Sequence, residues 1–113
     1  MYCQINKKLK RYITMENKFI ILYNDKLEPY IILSKVNYHH EIEAPNVMGR
    51  PISRAGGGKW FINNNGELRL YDLSGDFGKY NKKMAQEAFN NKRIYYSDKP
   101  AYHKFNISKL KME

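Results

Sequence analysis

Hydrophobic positions fall into short runs set apart by turn-forming residues. Phe19-Ile20-Ile21-Leu22-Tyr23 is an unbroken apolar run of strand length, so residues 18–23 read as a strand. Asn24-Asp25-Lys26 is a turn signal. After Pro29 a second run, Tyr30-Ile31-Ile32-Leu33, predicts a strand that continues toward Tyr38, and a hairpin is the simplest link between the two. Residues 43–58 read as loop, because Pro45, Gly49, Pro51 and Gly56-Gly57-Gly58 interrupt any periodicity. Trp60-Phe61-Ile62 is a short strand, and Asn63-Asn64-Asn65-Gly66 is the strongest hairpin turn, since Asn and Gly tolerate positive φ. Leu68 and Leu70 then alternate with Arg69 and Tyr71, the pattern of a half-exposed strand.

Ser74-Gly75-Asp76-Phe77-Gly78 breaks that alternation. Beyond it, Met84, Ala85, Ala88 and Phe89 lie at i, i+1, i+4 and i+5, one face of a helix over 80–91. Arg93-Ile94-Tyr95-Tyr96 predicts a closing strand, and Tyr102, Phe105, Ile107 and Leu110 are packing candidates in a tail without a clear period. The order predicts an α+β fold, a two-layer single domain with a mixed or antiparallel sheet packed by one or two helices.

Composition narrows the class. At 113 residues one domain is expected. A hydrophobic share of 42% and an aromatic share of 14% are too high for a disordered chain. No apolar run reaches the eighteen or so residues of a membrane span, and the basic start lacks the pattern of a signal peptide. The single Cys3 excludes an internal disulfide and a cysteine-based zinc site. A cytoplasmic protein is the expectation. The net charge of +9 is uneven: +4 over residues 1–18, −1 over 19–78, and +6 over 79–113, where nine Lys/Arg face three acidic residues. Basic ends suit polyanions such as nucleic acid, or phosphorylated partners, and they also suit a plain solvated surface.

Three segments carry candidate chemistry. In Tyr38-His39-His40-Glu41-Ile42, at a strand end, alternation puts His39 and Glu41 on one face and His40 and Ile42 on the other. A zinc reading would need a third ligand such as His103 or Glu43, and no spacing selects one. Gly56-Gly57-Gly58 is a close-approach loop before Lys59, without the Gly-Lys-Ser/Thr of a Walker loop. Between a strand and a helix, Ser74 offers a hydroxyl, and amides near Gly75 and Asp76 could form an anion-holding concavity. The same residues also make an ordinary helix-capping loop.

Taken in order, Tyr-His-x-Glu-Ile, Gly-Gly-Gly-Lys, Leu-Tyr-x-x-Ser-x-x-Phe-Gly and an amphipathic helix resemble the small janus/ocnus-type protein histidine phosphatases. The resemblance is strongest over residues 30–95. It divides the chain into a basic N-terminal extension, 1–17, and a phosphatase-like domain, 18–113. It implies removal of phosphate from phosphohistidine without a metal or other cofactor. It assigns the essential imidazole to His39 and the basic residue to Lys59. Ser74 with the Gly75 and Asp76 amides would be the phosphate cradle. The implied partner is a phosphorylated protein or small phosphorylated ligand. The family carries a Lys just before its first Tyr-hydrophobic strand, where this chain has Pro29. It carries an Arg about eight residues before the catalytic His, where this chain has Ile31. Lys35, Arg50 and Arg54 are the cations nearest in sequence to fill those places. Two further readings use the same residues: a non-catalytic basic module that binds nucleic acid, a phosphorylated ligand or a protein, and a small accessory or inhibitor protein.

Overall fold

A computed structural model describes residues 15–113. Cys3 and residues 1–14 of the basic extension lie outside the described residues, and the first strand, β1 (Glu16–Asn24), begins within the last part of that extension. The two continuous apolar runs are strands that are covered on both sides. β1 pairs antiparallel with β2 (Pro29–Val36), and Phe19, Ile20, Ile21, Ile31, Ile32 and Leu33 are all fully buried. A strand with two dry faces needs no polar alternation, which is why these runs are unbroken.

The β1–β2 hairpin forms with the turn expected. The second strand stops at Val36 instead of reaching Tyr38, and residues 39–41 coil into a 3-10 turn. The largest departure follows. Residues 51–58, expected as loop, belong to a twelve-residue strand, β3 (Pro51–Ile62), which pairs antiparallel with β1. Glycine has low strand propensity, yet here tertiary contact decides. Gly56 has φ +83°, and a Cβ there would collide with the Lys79 carbonyl.

Asn63–Gly66 turns β3 into β4 (Glu67–Tyr71), with Leu68 and Leu70 buried and Glu67, Arg69 and Tyr71 half-buried on the other face. Helix α1 (Lys82–Asn90) is capped by Asn81, whose side chain accepts the Met84 N–H at 2.9 Å. It buries Ala85 and Ala88 against the sheet. β5 (Ile94–Tyr96) and β6 (Lys99–Pro100) follow, then one helical turn, α2 (Tyr102–Phe105), and β7 (Lys109–Met112). The tail is therefore ordered: Asn106 reverses the chain at φ 51°, and β7 runs parallel to β4.

The described residues form one domain, a curled seven-stranded mixed sheet in the order β6-β5-β2-β1-β3-β4-β7. Helical content is smaller than a full two-layer α/β arrangement requires. One face packs Phe19, Ile21, Ile31, Leu33, Trp60, Leu68 and Leu70 under α1. The opposite face packs Ile20, Leu22, Tyr30 and Ile32 under Ile42 and Met48 of the 37–50 segment. No helix among the described residues is long and apolar enough to cross a membrane.

Trp60 ties the centre together. Its indole N–H is shared between the carbonyls of Lys18 in the neighbouring β1, at 3.1 Å, and Ser34 in β2 beyond it, at 3.0 Å. Trp60→Phe keeps a ring but leaves those acceptors without the donor. It should cost about 1–3 kcal/mol in chemical unfolding. A loss within the few tenths typical of a surface change would show that this bond does not matter.

Candidate functional site

The turn at 39–41 decides which imidazole enters the protein. Tyr38 is extended, the Ile42 N–H donates to the His39 carbonyl at 3.1 Å, and the Glu41 carboxylate accepts the N–H groups of Asn37 and Tyr38 at 3.0 and 2.9 Å. In a 3-10 turn, residues three apart share a side. His39 and Ile42 therefore point inward while His40 and Glu41 face solvent. The strand alternation expected for these residues does not apply, because the strand has already ended.

His39 is 5% exposed, and its Nε2 lies 2.8 Å from the Gly58 carbonyl oxygen. A carbonyl only accepts, so Nε2 carries the proton in the neutral ring and Nδ1 carries the lone pair. Burial holds the His39 pKa below its ordinary value of 6.5, the nearby Lys18 charge adds to that, and the Gly58 bond opposes it. The imidazole is accordingly neutral at pH 7. Gly57 gives the ring its room: a Cβ there would strike the Phe19 carbonyl and stand 3.2 Å from His39 Cδ2.

The 74–78 loop comes to the same place. Ser74 and Gly78 exchange backbone hydrogen bonds at 3.1 and 2.9 Å, and the Gly57 N–H donates to the Gly78 carbonyl at 3.1 Å. Ser74 is buried, and its Oγ accepts the N–H groups of Asp76 and Phe77 at 3.1 and 3.0 Å. Ser74 therefore builds the loop from beneath, and the Asp76 amide assigned to phosphate already has an acceptor inside the loop. The Gly75 N–H has no acceptor among the described residues. The Asp76 carboxylate turns to His40, taking its backbone N–H at 3.3 Å and meeting Nδ1 at 3.0 Å. That contact holds the Asp76 pKa below the ordinary carboxylate value.

A hollow of about 330 Å³ lies between the turn and the loop, lined by Lys18, Tyr38, His39, Lys59, Asp72, Leu73, Gly75 and Asp76, with Asn37 at its edge. Of the residues singled out in the sequence, His39, Lys59, Gly75 and Asp76 converge on it, whereas Ser74 and Gly56–Gly58 stand behind its walls. Lys59 Nζ is 3.6 Å from the Asp72 carboxylate. Lys18 was not singled out, yet it lies opposite Lys59 in the β1–β3 register and its ammonium holds Glu16 at 2.8 Å. Its signal in the sequence is its place directly before Phe19-Ile20-Ile21-Leu22. Lys35, Arg50 and Arg54 do not line the hollow; the Arg54 guanidinium lies 4.6 Å over the Phe77 ring. Among the described residues no three His, Cys, Asp or Glu side chains gather as a metal-ligand set.

The hollow thus gathers two lysines, each already paired with a carboxylate, and a buried imidazole whose Nε2 is engaged by a backbone carbonyl. Its titration is testable. In the unfolded chain His39 titrates near its ordinary 6.5, and in the fold below that. As pH falls below about 6.5 the unfolded state takes up more protons, so stability is lost in that direction. In His39→Gln this part of the pH dependence should vanish. Urea unfolding at about pH 7 and about pH 5.5 checks it, and an unchanged slope in the variant would contradict the assignment. No protein family, curated protein or solved structure matches the chain.

Proposed function

We propose that the chain is a phosphoramidate hydrolase acting on phosphohistidine or a similar N-phosphoryl group, in the manner of the janus/ocnus-type phosphatases it resembles. One observation carries the reading. His39, Lys59 and Gly75, distant in sequence and ordered as in that family's motif, line a single hollow. Lys18 adds a second cation to the lining of the hollow, opposite Lys59 in the β1–β3 register.

The chemistry follows from the donors. Lys18, Lys59 and the Gly75 N–H would neutralise and orient the phosphoryl oxygens, which is most of what phosphoryl transfer asks of a protein. The Nδ1 lone pair of His39 would take a proton from water as its oxygen bonds to phosphorus. The P–N bond then breaks and the leaving nitrogen takes the proton that His39 Nδ1 received, giving the free imidazole or amine and inorganic phosphate. Attack by Nδ1 itself, with water cleaving the resulting phosphoimidazole, uses the same geometry. Depression of the His39 pKa keeps the lone pair available at neutral pH.

A non-catalytic phosphate-binding module is the second reading. The Lys59–Asp72 pair favours it, since part of the positive charge in the hollow is already answered. One assay separates the two. Phosphate release from a phosphohistidine peptide should fall by about 10²–10⁴-fold in His39→Ala. Lys18→Ala and Lys59→Ala should raise KM. Equal rates for wild type and His39→Ala would remove the catalytic claim. Phosphate binding without release would leave the module.

A further inference from the structure

The lining of the hollow mixes charged and apolar side chains. Tyr38 and Leu73 both line it, and they are 58% and 54% exposed, among the most open large hydrophobic residues of the described chain. Single exposed apolar side chains are ordinary. Here two line one hollow. Tyr38 precedes the 39–41 turn, and Leu73 stands between β4 and the 74–78 loop that the His40–Asp76 contact fastens to that turn.

The Tyr38 ring is also held in place. It stacks on His40 with centroids 5.4 Å apart and planes 7° from parallel, and His40 is in turn fixed to Asp76 at 3.0 Å. A ring ordered in advance on one face offers its other face at little entropic cost. Leu73 is set by its own neighbour, its N–H donating to the Asp72 carboxylate at 2.9 Å.

We propose that Tyr38 and Leu73 are specificity-determining residues, a rim that selects phosphoryl groups borne on a flat ring over those borne on a small or alkyl group. The inference rests on the phosphate-binding reading of the hollow and adds to it the shape of the group attached to phosphorus. With the oxygens between Lys18 and Lys59, the atom bonded to phosphorus points out of the hollow, toward the rim. A flat ring there meets an aromatic face and an aliphatic side chain. A small amine meets neither. Asp72 and Asp76, the carboxylates of the same wall, are engaged by Lys59 at 3.6 Å and by His40 at 3.0 Å.

The test compares two N-phosphoryl substrates with the full chain: phosphoimidazole, which has the ring, and ammonium phosphoramidate, which has none. The wild type should show the lower KM for phosphoimidazole. In Tyr38→Ala and in Leu73→Ser the ratio of the two KM values should shrink about tenfold, while Tyr38→Phe retains it. Equal KM values in the wild type, or a ratio that survives both variants, would overturn the rim. Turnover of neither substrate would instead sink the hydrolase reading, and the rim is then read from binding. Phenyl phosphate should bind the wild type more tightly than inorganic phosphate, and Tyr38→Ala should remove the difference. Equal affinities, or no binding of either ligand, would overturn it. Matching thermal unfolding of the exposed-site variants and the wild type ensures that a changed ratio reports on the rim.

Discussion

A single hydrogen bond, from His39 to the Gly58 carbonyl at 2.8 Å, fixes which nitrogen of the buried imidazole carries the proton. A buried imidazole without a partner would be costly, and one paired through Nδ1 would present the opposite nitrogen to the hollow. Pairing Nε2 with a backbone carbonyl keeps the ring neutral, in one tautomer, with Nδ1 unprotonated. The bond depends on the ring lying close against β3, and that depends on Gly57, where any side chain would strike the Phe19 carbonyl before it met the ring. The glycines that look like a loop are thus the reason a histidine can sit against a strand.

The rest of the sheet serves that contact. β1 and β2 are dry on both faces because α1 covers one and the 37–50 segment covers the other. The covering segment must leave β2 and fold back at once, and the 39–41 turn does this with Ile42 anchored in the second core and His39 three residues earlier on the same side. On the far side, the Ser74 hydroxyl gathers two amides and shapes the 74–78 loop, and Asp76 fastens that loop to His40. The two halves of the hollow are therefore joined by the exposed His40–Asp76 contact.

What could be read from the sequence was what short-range physics controls. Leu68 and Leu70 alternate because one face of β4 is buried, Ala85 and Ala88 mark the inner face of α1, and the apolar runs at 19–22 and 30–33 mark doubly covered strands. The polar turn at 63–66 appears where Asn and Gly place it. What could not be read depends on partners distant in sequence. β3 runs through three glycines because neighbouring backbones close on them, which no propensity reports. The 39–41 segment has strand-like neighbours, but β2 ends two residues too early for alternation to govern it. Lys18 enters the hollow only through its register opposite Lys59. Ser74 was legible as a polar loop residue, while its use as an acceptor from within the loop required the loop's shape.

The central claim is that His39, Lys18, Lys59 and the Gly75 amide form one oxyanion site, and amide and side-chain NMR during a titration with inorganic phosphate measures it most directly. The Gly75 N–H, the His39 ring nitrogens and the ammonium groups of Lys18 and Lys59 should shift together along one saturable curve, with His39 retaining its proton on Nε2. Shifts spread over the exposed lysines of α1 and β7 with Gly75 unmoved, or a His39 protonated on Nδ1 instead, would contradict the account.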